Sequence, residues 1–164
     1  MKKFLYNIKD YVIIVVVVIL IRSFVVTPAI VDGASMDNTL KDGQVVLINK
    51  FNYIFKEPKR FQIVVVKNND SHDKIIKRII GLPNEHIVYK DNNLYINNEL
   101  VLEEFNHGIT GDYDMTTGED EYFVLGDNRE ISKDSRILGN FKKKDLIGTV
   151  KVRLFPFNKI GLIK

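Results

Sequence analysis

Residues 74–83 read Lys74-Ile75-Ile76-Lys77-Arg78-Ile79-Ile80-Gly81-Leu82-Pro83. Isoleucines at 75, 76, 79 and 80, closed by a Gly-Leu-Pro breaker, predict a strand. Side chains alternate along a strand, so Lys77 shares a face with Ile75 and Ile79. A lysine among isoleucines is drawn out of water, which favours its neutral form. A neutral amine is what a general base must be. The same lysine would equally serve as an edge-strand charge that discourages aggregation. Both faces of the segment are apolar, so alternation alone does not say which one looks into a site.

Outward from this segment, helical periodicity is scarce beyond Asp32 and short β-branched runs take its place. They are Gln44–Ile48, Ile63–Val66, Ile75–Ile80, Ile87–Tyr89, Leu94–Ile96, Leu100–Leu102, Tyr122–Leu125 and Ile147–Phe155. Turn clusters separate them: Lys41-Asp42-Gly43, Asn68-Asn69-Asp70, Asp91-Asn92-Asn93 and Asn97-Asn98. The fold class is therefore mostly β, built from hairpins, with Asp91–Asn93 as a hairpin turn. The polar stretch Glu103–Glu121 holds three glycines and reads as a long surface loop.

The N-terminus differs in kind. Lys2, Lys3 and Lys9 precede an apolar run from Tyr11 to Ile21, which resumes at Phe24-Val25-Val26 after Arg22-Ser23. A bilayer-crossing helix needs about 20 apolar residues. Phe4, Leu5, Tyr6 and Ile8 extend the run backwards, and Arg22 can carry its charge to the far interface. Thr27-Pro28 ends the helix. The reading is a transmembrane anchor over residues 1–27 and an extracytoplasmic body over 28–164, with the lysine-rich tip in the cytoplasm. A cleavable leader and a buried core element are the competing readings. Cleavage near Ala29 or Ala34 would cut into the Ser35 segment described below, which favours a permanent anchor.

The chain has 164 residues, 45% of them hydrophobic, a net charge of +3 and no cysteine. One body plus an anchor suits that length. Disulfides and thiolate chemistry are excluded, and so weak a charge gives no reason to invoke nucleic acid. His72, His86 and His107 lack the spacing of metal ligands.

Two more segments can carry chemistry. Gly33-Ala34-Ser35-Met36-Asp37-Asn38-Thr39-Leu40 offers a serine after small residues, which would let a substrate backbone approach. A serine needs a base to become a nucleophile, and by itself this one reads as readily as a helix N-cap. Gly126-Asp127-Asn128-Arg129-Glu130-Ile131-Ser132-Lys133-Asp134-Ser135-Arg136 follows an apolar strand. Its density of polar groups suits a buried network beside a site, or a solvated loop.

Together, in this order, the anchor, the Ser35 segment, Lys-Arg-x-x-Gly-x-Pro and Gly-Asp-Asn-Arg-x-x-Ser-x-Asp-Ser-Arg resemble the type I signal peptidase family over nearly the whole chain. Leu20-Ile21-Arg22-Ser23-Phe24 strengthens the likeness, and the short body with a single apparent anchor is similar to the Gram-positive form. The resemblance implies a signal-peptidase-like antiparallel β-sheet body with one N-terminal transmembrane helix. It implies a membrane-bound serine endopeptidase that removes signal peptides from exported pre-proteins through an acyl-enzyme.

On that resemblance Ser35 is the nucleophile and Lys77 the general base, Ser132 orients the amine, and Asp134, Arg136, Arg78 and Asp127 brace the site. Substrate would add as an extended strand along Ala29-Ile30-Val31-Asp32-Gly33 and Lys74-Ile75-Ile76, with Met36 beside the nucleophile. Its alternate small side chains would enter shallow pockets. Partners are signal-peptide-bearing pre-proteins and the lipid bilayer; no metal or cofactor is implied. The sequence departs from the family pattern in two places and, at a third, lacks a side chain that only some relatives carry. Gly33 stands where some relatives carry a serine that helps hold the oxyanion, Asn38 where proline is usual, and Asn84-Glu85 where Gly-Asp is favoured. The Asn38 departure keeps open a non-catalytic relative that assists assembly of pilus-type surface structures. A self-cleaving repressor-type protein also uses a serine–lysine dyad, but would not need the apolar N-terminus.

Overall fold

The computed structural model describes residues 2–51, 53, 56–68, 71 and 73–163, and in the N-terminal helix the side chains of 8–19. The side chains of Lys2, Lys3, Phe4, Leu5, Tyr6 and Arg22, the Asn69-Asp70 part of one expected turn, and His72 lie outside the described residues. Helix α1 runs Lys2–Phe24. The side chains from Tyr11 to Ile19 are all exposed, so this is not a core helix. Among the described residues no helix is long and apolar enough to cross a membrane. The helix ends one residue before strand geometry can begin: β1 is Val26–Ile30, and Pro28 lies within it. Proline cannot donate to a ladder, and β1 is an edge strand whose only partner among the described residues is β2, Val45–Asn49.

The body comprises two antiparallel sheets. The larger orders β1, β2, β11 (Leu146–Phe155), β3 (Ile63–Lys67), β4 (Lys74–Gly81), β9 (Glu121–Leu125) and β10 (Phe141–Lys142), with β12 (Gly161–Leu162) beside β11. The smaller orders β7 (Glu99–Val101), β6 (Asn93–Ile96), β5 (His86–Lys90) and β8 (Tyr113–Thr116). The expected strands are present to within a residue or two at each end, and Lys77 lies in a strand as predicted. Short loops of Asp and Asn make the hairpins. Asp91 and Asn92 take φ 49° and 63°, Asn97 and Asn98 take 51° and 70°. Two consecutive left-handed residues match the strands' own twist, and Asn and Asp tolerate that region best after glycine. Asn84, where the family favours glycine, also sits at φ 59°.

The stretch Glu103–Glu121 corrects the surface-loop expectation. Tyr113–Thr116 within it forms β8 along β5, and Thr110 and Thr117 are buried. Some of its polar side chains are buried with partners while others stay exposed: Thr117 Oγ1 donates to the Leu82 carbonyl at 2.6 Å, and Glu103 pairs with Arg129 at 2.5 Å.

Three apolar clusters result. Val46, Ile48, Ile63, Val65 and Val150 pack with Val31, Met36 and Leu40, so this cluster lies under the Ser35 loop. Val64, Val66, Ile79, Val124 and Leu146 form the second. The third joins the sheets through Ile80, Phe123 and Leu125 against Ile87, Tyr89 and Leu94.

Candidate active site

The Ser35 loop is a tight turn, with Asp37 N–H donating to the Ala34 carbonyl at 3.1 Å and Leu40 N–H to the Met36 carbonyl at 2.6 Å. Met36 and Leu40 are driven into the first core cluster, leaving Ser35 half-buried on the groove side. No helix follows, so Ser35 is not an N-cap. Its hydroxyl instead meets Lys77, whose Nζ lies 2.6 Å from Ser35 Oγ, across 42 residues of sequence.

Lys77 is 2% exposed. Burial pushes its amine down from 10.5 to about 8; Asp134 and Asp127 pull it back up, and Arg136 pushes it further down. Burial dominates because a charged ammonium loses more hydration than these carboxylates return. The basic neighbour that acts on Lys77 is thus Arg136, whereas Arg78 is committed to Asp127. Arg78 donates to both oxygens of buried Asp127, at 2.8 and 2.6 Å, and lies 4.0 Å over the Phe105 ring. Asp127 also accepts from the Thr39 hydroxyl. The pair therefore ties β4, the Ser35 loop and the segment after β9 together.

Asp134 accepts from Gly126 N–H at 3.0 Å and from Arg136 Nε and Nη2, both at 2.9 Å. It also caps the short helix α2, Ser135–Leu138. Arg136 in turn donates to the Arg129 carbonyl at 2.6 Å. The expected braces are therefore brought together. Ser132 is buried beside them, yet no hydrogen bond joins it to Lys77, and its hydroxyl has no partner among the described residues. Gly126 must be glycine: a Cβ there would overlap the Ser132 side chain and the Ser35 carbonyl oxygen.

Beside the dyad runs a groove of about 340 Å³ lined by Ile30–Gly33, Ser35, Met36 and Asp73–Lys77. Among the described residues β1 has a neighbour on one side only, and β4 pairs with β9 only from Arg78 onwards, so both walls present open strand edges. Eight of the nine expected substrate-side residues line it. Ala29 does not; it is packed against the first core cluster.

Sequence reasoning passed over four residues. Arg129, 1% exposed, donates to Gly126 carbonyl, Tyr89, Thr110 and Glu103. It ties the second sheet to the Gly126–Arg136 segment, and its place in the Gly-Asp-Asn-Arg signature was the available signal. Glu103, its partner, sat in a stretch read as solvated. Asn128 donates from its side chain to Ala34 carbonyl at 3.1 Å and from its backbone to Ser35 carbonyl at 3.0 Å. Asp42 accepts from Gly33 N–H at 2.8 Å, and Gly33 stands at φ 86°, where only glycine is unstrained.

Residues 5–155 match the family model described as "Signal peptidase, peptidase S26". A signal peptidase I of Bacillus amyloliquefaciens is 40% identical, over 95% of this chain and 90% of its own. Signal peptidase IB of Staphylococcus aureus is 34% identical, over 88% and 85%. The crystal structure of a signal peptidase I from Enterococcus faecalis, 34% identical, superposes with a TM-score of 0.53 over 57% of this chain and 97% of that one. With the family model spanning most of its length and relatives of this identity aligning nearly end to end, the chain belongs to the signal peptidase family, peptidase S26.

Proposed function

We propose that this chain is a membrane-anchored serine endopeptidase that removes signal peptides from exported pre-proteins, with Ser35 as nucleophile and Lys77 as general base. One observation carries the reading: the buried Lys77 amine, pushed down to about 8, stands 2.6 Å from the Ser35 hydroxyl. Neutral Lys77 takes the hydroxyl proton as Ser35 Oγ bonds to the carbonyl carbon at the cleavage point. Negative charge collects on the carbonyl oxygen, and the Ser35 N–H, which donates to nothing among the described residues, is the donor left to receive it. Collapse expels the mature protein's amine, which takes the proton back from Lys77. The amine of Lys77 then activates a water that releases the leader from Ser35.

The two open edges favour an extended substrate added as a strand. The shallow space beside Ile30, Met36 and Ile76 suits small side chains. For the anchor, support comes from the apolar run of α1 and from the face that follows it. Ile30, Val45 and Phe155 form one row across β1, β2 and β11, Ile30 is 70% exposed, and Phe157, Ile160 and Leu162 are exposed near the same end of β11. Contiguous exposed apolar groups of this kind suit a lipid interface. Incubating the full chain in detergent with a model pre-protein and weighing the products tests the function. Expected is a single cut after a small residue, abolished in Ser35→Ala; no cut by the wild type, or an equal cut by the variant, would overturn it.

A further inference from the structure

The oxyanion site is short of donors. The residue two positions before Ser35 is glycine and has no side-chain hydroxyl. Its own N–H is spent on Asp42 Oδ1 at 2.8 Å. The Ser35 N–H therefore carries the role, and catalysis depends on where that one bond points. A trans peptide unit is planar, with its N–H directed opposite to its C=O. The unit holding the Ser35 N–H is the one whose oxygen belongs to Ala34. That oxygen accepts from Asp37 N–H within the loop and from Asn128 Nδ2 across from it, both at 3.1 Å, while the next carbonyl, of Ser35 itself, is gripped by Asn128 N–H at 3.0 Å. The two grips from outside the loop both come from Asn128. Peptide planarity then turns the Ser35 N–H away from Asn128, and Gly33 and Ser35 themselves line the groove.

We propose that Asn128 is the positioning residue of the oxyanion site, its side-chain amide holding the Ala34 carbonyl so that the Ser35 N–H is aimed at the substrate oxygen. The inference rests on the reading of Ser35 as nucleophile. Asn128 touches no reacting atom; it acts through one peptide plane. The backbone N–H of Asn128 survives any substitution except proline, so the side chain's share can be isolated. Asp is the same shape as Asn but has no donor and faces the Ala34 oxygen with negative charge.

The test uses the full chain in detergent micelles, with a pre-protein substrate and a peptide boronate that forms a tetrahedral adduct on a serine. In Asn128→Asp and Asn128→Ala, kcat should fall on the order of tenfold or more, since losing a whole oxyanion donor costs about 10²–10³-fold. KM should stay within about twofold, and the boronate should weaken in proportion to kcat/KM. A purely structural role would move kcat and KM together or lower only the folded fraction. Ser35→Ala runs alongside: cleavage surviving there sinks the reading of the site. An inactive Ser35→Ala together with wild-type kcat in folded Asn128→Asp overturns the positioning role alone. Failure of both Asn128 variants to fold assigns the residue to the fold and also overturns the proposal.

Discussion

Replacing Lys77 with methionine should stabilise the protein at neutral pH while abolishing cleavage. The fold holds this amine at about 8 instead of 10.5 because burial disfavours its charge. That depression corresponds to about 3 kcal/mol of preference for the neutral form. Below pH 8 the lysine is charged both folded and unfolded, and the folded state bears the whole cost. Between 8 and 10.5 the folded protein has released the proton while the unfolded chain still binds it, so stability rises with pH. Methionine fills similar space without the charge. It forfeits one hydrogen bond to a half-buried serine, about 0.5–1.5 kcal/mol. Lys77→Met should therefore exceed the wild type by roughly 2 kcal/mol at pH 7, with the gap closing or reversing towards pH 10. Urea unfolding of both proteins in the same micelles, followed by tryptophan-free far-UV circular dichroism, measures this. The same titration sets activity: with an amine at about 8, about a tenth is neutral at pH 7 and about nine tenths at pH 9, so kcat/KM should rise on the order of tenfold. A methionine variant less stable than wild type at pH 7, a gap that ignores pH, or a flat rate profile would refute the reasoning.

Lys77→Arg should fold yet cleave no pre-protein, because a guanidinium stays protonated and cannot accept the Ser35 proton; near wild-type cleavage by the folded variant sinks the dyad. Asn38→Pro should keep activity and change stability by no more than about 1 kcal/mol. It exchanges the bond from Asn38 Nδ2 to the Asp127 carbonyl at 3.0 Å for about 0.4–1 kcal/mol of lost unfolded-state freedom. A folded but inactive Asn38→Pro would show that the side-chain bond holds the loop. Gly126→Ala should cost about 1–3 kcal/mol by overpacking and suppress cleavage, since the added methyl meets the Ser35 carbonyl and Ser132; thermal melts and product mass spectra check both. Protease added outside intact spheroplasts should degrade the body and spare the lysine-rich tip; full protection until lysis would overturn the topology.

Much of this was legible in residue order. β-branched runs broken by Asn and Asp pairs specify short strands and tight hairpins locally, because left-handed turns and pleated surfaces select those residue types. The three segments that build the site were legible as motifs. What the linear chain could not supply was which polar groups lie inside. Glu103 and Thr110 read as solvated residues of a loop, and only the packing of the second sheet against Arg129 buries them. Ser35 could have been a helix cap, and Lys77 an edge charge. Their 2.6 Å meeting is decided by strand register: β4 between β3 and β9, and Met36 and Leu40 seated on the neighbouring core. Likewise Arg78 and Arg136 are equivalent cations in the sequence. Tertiary placement alone commits Arg78 to Asp127 and leaves Arg136 to act on the lysine. The reason is one of range: turn and strand preferences act over a few residues, whereas burial and charge pairing depend on groups that the chain brings together only once it is folded.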